Sequence, residues 1–324
     1  MNILYGIQLN GNGHITRSIE LIDNLLKKNF TVDIIASGNN SDLNLPFNLL
    51  KKYRGLSLYY DSSGKINWWD SVKDANINQL IKDTNLDTSK YDLVISDFEP
   101  VSAWSAYRNN KKCINISNQN SLLSNKSPRF KNELIANSFL KYFAYSKYRI
   151  GLHYKEYDQN IYQPIISNKI LESTTSNEDV ILVYLPAYSL NFLKTLFKQF
   201  TSFNWIIYSK ESKLIETETN VTTCPLNLNN FQKHLVRCSG VITASGFTTT
   251  SEALVLNKKL WSIPIKGQYE QICNSKALQE MGIFIEDINS ENIKKWLEEF
   301  SHINYTWNNP INSIINKIIE IYED

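Results

Sequence analysis

The chain has 324 residues, of which 42% are hydrophobic and 20% charged, with a net charge of +2. That length exceeds the size at which one hydrophobic core stops growing, so two domains are expected, and the balance excludes a disordered or fibrous chain. Cys113, Cys224, Cys238 and Cys273 lack paired spacing, which argues for buried reduced thiols over a disulfide framework or zinc site.

The opening Met1-Asn-Ile-Leu-Tyr-Gly6 lacks a basic leader with an apolar segment behind it, and no run approaches a membrane span, so a cytoplasmic protein is expected. Asn2 to Gln8 suits a buried parallel strand; Gly11-Asn12-Gly13 then turns into a helix with Ile15, Ile19, Ile22 and Leu26 on one face. Strands follow at Thr31 to Ala36, Tyr91 to Ser96 and Cys113 to Ile116, with helices near Trp69 to Lys82 and Pro100 to Asn109. A helix beginning at Ser127-Pro128 carries Phe130, Leu134, Ile135, Phe139, Tyr142, Phe143 and Tyr148, with Lys126, Arg129, Lys131, Lys141 and Lys147 against the single acid Glu133. Two readings stay open for that stripe, a core face and a peripheral contact with the inner membrane face.

Residues 173 to 178 are polar and unpatterned, and Val180 to Pro186 restarts the strand rhythm. A boundary is therefore expected between residues 1–172 and 173–324. Further strands are read at Asn204 to Tyr208, Val221 to Cys224, Gly240 to Thr243 and Leu260 to Ile265, with helices between. The stretch Glu291 to Asp324 reads as helical except at Asn308-Asn309-Pro310, with Trp296, Leu297 and Phe300 docking one helix. Alternating strand and helix in both halves predicts an α/β protein of two doubly wound units, with ligands beyond the carboxyl ends of the strands in a cleft. Residues 1–170 carry 21 Lys and Arg against 15 Asp and Glu, the remainder 13 against 17; a mildly basic first half suits an anionic acceptor or is a solvated face, and nucleic acid is not suggested.

The run Val241 to Glu252 carries the strongest chemical signal. A β-branched strand ends at Ser245-Gly246, and Phe247, Thr248 and Thr249 open a helix whose free amides would hold a diphosphate without a metal. Thr248, Thr249 and Thr250 are also ordinary helix-capping residues. Glu252 lies deeper in the helix, where a carboxylate can accept from ribose hydroxyls. The turn Gln268-Tyr-Glu270-Gln271 follows one strand later and suits a polyhydroxylated ligand. In the first half, Gly11-Asn12-Gly13-His14 lets a ligand approach the backbone, although Thr16 stands where a dinucleotide fingerprint wants glycine. His14 is a candidate general base, or only a helix-opening residue. Asp97 is its candidate partner, or a helix cap before Pro100. Asp97 with Glu99 is a weak metal pair, since Asp-x-Asp does not occur; no metal and no cofactor is expected. His153, His234 and His302 are read as structural.

Together these residues resemble nucleotide-sugar glycosyltransferases of the two-domain GT-B fold. Gly11 to Arg17, Ser96-Asp-Phe-Glu-Pro100 and Gly267-Gln-Tyr-Glu-Gln271 look like a bacterial and archaeal glycosyltransferase group. The chain is more distantly similar to the peptidoglycan-precursor N-acetylglucosaminyltransferase and the UDP-glycosyltransferases. The resemblance implies an acceptor-binding first domain and a donor-binding second domain, two Rossmann-like units facing across a cleft, with the last helix crossing back to the first. It implies His14 as base with Asp97, Gly246 to Thr249 on the diphosphate, Glu252 on the ribose, and Glu270 with Gln271 on the sugar. Ala244 stands where plant UDP-glycosyltransferases carry a phosphate-contacting histidine and where retaining enzymes often carry a glutamate. Inverting hexosyl or N-acetylhexosaminyl transfer to a glycan, glycolipid or small-molecule acceptor, in surface polysaccharide or glycolipid assembly, is the implied activity. UDP-sugar hydrolases of the pseudaminic acid type share the Gly-x-Gly-His-x-x-Arg turn, and a non-catalytic nucleotide-sugar binder is the third reading.

Overall fold

The computed structural model describes residues 1–9, 11–38, 45–55, 77–129 and 134–324. In the first part of the chain apolar runs become strands and the segments between them become helices. In order these are β1 (Asn2–Gln8), α1 (Asn12–Lys27), β2 (Thr31–Ser37), β3 (Lys51–Tyr53), α2 (Ile77–Asp83), β4 (Leu93–Asp97), α3 (Pro100–Arg108), β5 (Cys113–Ser117), α4 (Asn118–Ser121), α5 (Leu134–Tyr142), β6 (Tyr148–Leu152) and β7 (Ile161–Tyr162). The sheet runs β3-β2-β1-β4-β5-β6-β7, parallel throughout. β4 and β5 are buried at every position, as strands covered on both faces must be. Gly6 lets α3 lie directly on β1: a methyl there would come 2.1 Å from Ser102 Oγ and 2.6 Å from Glu99 Oε2.

The second part repeats the plan: α6 (Asn168–Leu171), β8 (Glu178–Tyr184), α7 (Leu190–Phe197), β9 (Asn204–Ser209), β10 (Glu216–Glu218), β11 (Val221–Pro225), α8 (Leu228–Arg237), β12 (Cys238–Ala244), α9 (Phe247–Val255), β13 (Lys259–Ile263), α10 (Tyr269–Glu280) and α11 (Ser290–Glu299). Its sheet runs β10-β11-β9-β8-β12-β13, with β10 the antiparallel edge. Trp205, Trp261 and Trp296 are fully buried in its core with Phe197 and Ile293, and Leu297 and Phe300 pack against them. Among the described residues the chain divides into one compact unit ending at Ser167 and resuming at Asn308–Asp324, and a second covering Asn168–Trp307. The last helix, α12 (Ile311–Glu323), buries Ile311, Ile314, Ile315, Ile318 and Ile321 on one 3.6-residue stripe. Lys112 Nζ donates to its Ile321 carbonyl at 2.9 Å.

Several local expectations change. The buried face of α1 holds Ile15, Ser18, Leu21, Ile22 and Leu25, whereas Leu26 is exposed. Arg17 and Ser18 bond Asp97 and so turn that side of the helix toward the sheet. Tyr148 belongs to β6, not to a helix; Ser146 Oγ takes up the Cys113 carbonyl and the Tyr148 amide and carbonyl, a side-chain alternative that ends helical bonding. Residues 301–307 are not helical; the run Ser-His-Ile-Asn-Tyr-Thr is poor in helix formers. Gln268 to Gln271 is no free turn, since Gln268 caps α10 and the next three residues begin it. Within the expected helices, residues 69–76 and Phe130 to Glu133 lie outside the described residues.

Candidate active site

In both sheets the strand order reverses beside the first strand of the unit, between β1 and β4 and between β8 and β12. Such switch points open a crevice at the strand carboxyl ends because neighbouring connections leave in opposite directions. His14 and Asp97 lie at the first of these edges, Ser245 to Thr249 follow β12 at the second, and Gln268 to Gln271 follow β13, the next strand.

In the first unit, β1 pairs with β4 so that Ile7 faces Asp97 in register. Gly11 caps α1 without a side-chain bond, and a methyl added there would meet nothing within 4 Å. Asn12 and Gly13 are the helix's first residues, and His14 follows. Its Nδ1 is 2.7 Å from Asp97 Oδ1. Asp97 is 1% exposed. Burial alone would push its carboxyl up, but Arg17 and His14 together, by charge and hydrogen bond, hold it below the ordinary carboxylate range. Arg17 Nε donates to Asp97 Oδ2 at 2.7 Å, Nη2 donates to Oδ1 at 2.5 Å, and Ser18 Oγ donates to Oδ2 at 3.0 Å.

The next residue, Phe98, has a φ of 52°, the left-handed region that non-glycine residues seldom occupy. This reversal separates two acids. Asp97 faces α1, while Glu99 caps α3 by accepting from Val101 N at 2.7 Å and Ser102 N at 2.6 Å. The helix cap before Pro100 is thus Glu99, its carboxyl pushed up by burial and turned to the helix amides, away from Asp97. Among the described residues no three His, Cys, Asp or Glu side chains gather in a metal-binding group. The Phe98 ring lies parallel to His14 at 6.5 Å and stacks on Phe143 at 4.9 Å. The stripe on α5 therefore divides: Leu140, with Phe143 just beyond the helix, packs inward, while Leu134, Ile135 and Tyr142 are exposed. Among the described residues no helix is long and apolar enough to cross a membrane.

In the second unit, Gly246 caps α9, again with no side-chain bond and no atom within 4 Å of an added methyl. Elsewhere Ser189, Asn227 and Asn289 cap α7, α8 and α11 with side-chain oxygens. Unlike those caps, Gly246 supplies no side-chain oxygen to the first turn of α9. Thr248 and Thr249 stand half-buried in the first turn, and their hydroxyls have no partner among the described residues. Phe247 is buried, and Thr250 Oγ1 bonds back to the Gly246 carbonyl at 2.8 Å. Ser245 does not line the helix end with its hydroxyl, which is fully buried and 2.7 Å from Ser262 Oγ.

Glu252 is 3% exposed. Burial pushes its carboxyl up to about 8, against a bond from Gln232, so it is mostly neutral at pH 7. Asn274 Nδ2 donates to the Ser245 carbonyl at 3.1 Å and ties α10 beside α9. Gln271 Nε2 donates to Gln268 Oε1 at 2.7 Å and its Oε1 accepts from Ile265 N at 3.0 Å; Glu270 is half-buried in the first turn. Adjacent to these, a cavity of about 240 Å³ is lined by Leu185, Tyr188, Ala244, Ile263, Pro264 and Lys266 among others.

Sequence reasoning gives no task to Arg17, Phe98, Ser262 or Asn274. Only Arg17 left a readable signal, three residues after His14 and so on the same helix face. His153 is fully buried and held neutral by burial, its ring dropping to about 3, and His234 Nδ1 is 3.0 Å from Tyr208 Oη. All four cysteines are free and buried.

A family model described as Glycosyl transferase family 1 matches residues 1–301. Among solved structures, the chain is similar to the spinosyn forosaminyltransferase SpnP at 12% identity and a TM-score of 0.63, over 100% of both chains. It is similar to the glycosyltransferase SnogD from Streptomyces nogalater at 11% identity and a TM-score of 0.55, over 100% of this chain and 95% of that one. Arabidopsis thaliana UGT89C1, solved with UDP-L-rhamnose, shares 13% identity and a TM-score of 0.59, over 98% of this chain and 94% of its own. No curated protein matches the chain.

Proposed function

The chain belongs to glycosyl transferase family 1 and has a GT-B fold of two Rossmann-like units, and on that premise we propose that it transfers a sugar with inversion from a UDP-sugar to an acceptor hydroxyl. In this reading His14 takes the proton of the acceptor hydroxyl, and Asp97 orients the ring and balances the charge it gains. The acceptor oxygen attacks the anomeric carbon while the bond to the diphosphate breaks. The leaving charge is met by the amides at Gly246 to Thr249 and by the threonine hydroxyls, an interaction that strengthens as the charge develops.

Glu252 would engage the ribose hydroxyls. A neutral carboxyl there can donate one hydrogen bond and accept another, which suits a vicinal diol. Glu270 and Gln271 would hold the donor sugar, and their place in the first turn of α10 supports this. Ala244, standing where retaining relatives often carry a glutamate, supports inversion. The observation that carries the proposal is the 2.7 Å contact of His14 with a buried, ionised Asp97 at the β1/β4 switch point.

The test is incubation with a panel of UDP-sugars, with and without hydroxyl acceptors, following UDP and free sugar. Acceptor-dependent UDP release with inverted product is expected. Free sugar released equally fast without acceptor would assign a hydrolase, and no turnover with any donor a binding protein.

A further inference from the structure

We propose, resting on that reading, that Arg17 is a positioning residue for the transfer step, fixing the Asp97 carboxylate so that Oδ1 faces His14 Nδ1. A carboxylate at a strand end turns readily about its last torsion, which has a broad minimum. A single hydroxyl contact, such as Ser18 Oγ on Oδ2 at 3.0 Å, does not stop that rotation. The guanidinium does, because its planar fork reaches both oxygens, Nε to Oδ2 at 2.7 Å and Nη2 to Oδ1 at 2.5 Å. Arg17 is itself 7% exposed, so it has little freedom to leave.

The same fork acts on the imidazole. Nη2 stands 2.6 Å from His14 Nδ1, and Asp97 Oδ1 stands 2.7 Å from it. A guanidinium only donates, so an Nδ1 that accepts from Arg17 is not one that donates to Asp97. Nη2 carries two protons, so its bond to Oδ1 does not by itself choose; the ionised Oδ1 can only accept, and its charge favours the ring with the proton on Nδ1 and the Nε2 lone pair free for the acceptor hydroxyl. Phe98 lies parallel to the ring with its centroid 6.5 Å away. Arg17 thereby sets the histidine tautomer through the carboxylate.

The experiment compares Arg17→Gln, Arg17→Lys and Ser18→Ala for kcat, donor KM, UDP affinity and the low-field proton NMR signal of the His14 Nδ1–H. Arg17→Gln is expected to lose kcat by about 100-fold, the scale of a misplaced catalytic group, with donor KM and UDP affinity within about threefold, and to lose the low-field signal. Arg17→Lys keeps the charge without the fork and should recover only part of kcat; it carries the test if Arg17→Gln does not fold. Ser18→Ala, which removes one contact to Oδ2 and leaves the fork in place, should lose kcat by far less than Arg17→Gln and keep the signal. A folded Arg17→Gln or Arg17→Lys with full kcat and an intact signal overturns the proposal, as does a Ser18→Ala loss equal to that of Arg17. If turnover survives in His14→Ala, the base assignment itself has failed; if it needs His14 yet ignores Arg17, only this inference has.

Discussion

Asp97 in the first unit and Glu252 in the second are both almost fully buried at the carboxyl edge of a parallel sheet, yet they take opposite charge states. Asp97 is surrounded by Arg17, His14 and Ser18 and stays ionised. For Glu252 burial is offset only in part by a bond from the amide of Gln232, and it holds its proton to about pH 8. Burial costs both alike, and the neighbouring cation decides the outcome. One edge is therefore built around a fixed charge that can balance a cationic imidazole. The other keeps the carboxyl of Glu252 uncharged in the helix that Gly246 caps, so that it does not compete with an incoming anion.

The strongest way to break this contrast is His14→Ala. Turnover should fall by roughly 10²- to 10⁴-fold, the usual contribution of a general base, while calorimetric UDP affinity stays within about twofold. A parallel loss of UDP binding would merge the two edges into one function.

Glu252→Gln sharpens the contrast through pH. A carboxyl raised from an ordinary 4.5 to about 8 contributes its full stability below the lower value and loses it as pH rises through the upper one. Asp97, held low, does the reverse and loses its contribution on acidification. The glutamine variant should thus gain on the parent by an amount on the order of a few kcal/mol between pH 5 and pH 9, read as a Tm difference that widens with pH. A constant difference would show that Glu252 ionises freely.

Gly246→Ala has the smallest expected effect. The backbone there, at φ −70° and ψ 132°, accepts any residue, and the added methyl meets no protein atom, so Tm should hold or rise slightly. UDP affinity should drop by about tenfold, or ~1.4 kcal/mol, if phosphate occupies that space. Unchanged affinity would remove α9 as the diphosphate site.

How far the sequence could be read depends on what each feature needs. Runs such as Asn2 to Gln8 and Val241 to Thr243 declare buried strands because both faces are apolar, and turn glycines mark where those strands end. The edge strands Lys51–Tyr53 and Glu216–Glu218 contain no such run and are invisible to hydropathy. His14 and Asp97 are legible as residues at strand ends, but their 2.7 Å contact depends on which strands are neighbours. The burial of the Ser245 hydroxyl against Ser262, seventeen positions on, and the protonation of Glu252 are properties of packing that no local pattern encodes. Arg17 is the instructive omission: hydropathy counts it as a solvated residue, and only the carboxylate brought by β4 gives it an interior place.

The return of α12 to the first unit also orders events in time. A protein made from its N-terminus can assemble Asn168–Trp307 as soon as that segment emerges, whereas the unit begun first lacks its isoleucine stripe until residues 308–324 have followed. The unit that carries the histidine is thus begun before the other and closed after it, so it stays open to chaperones once Asn168–Trp307 has already folded.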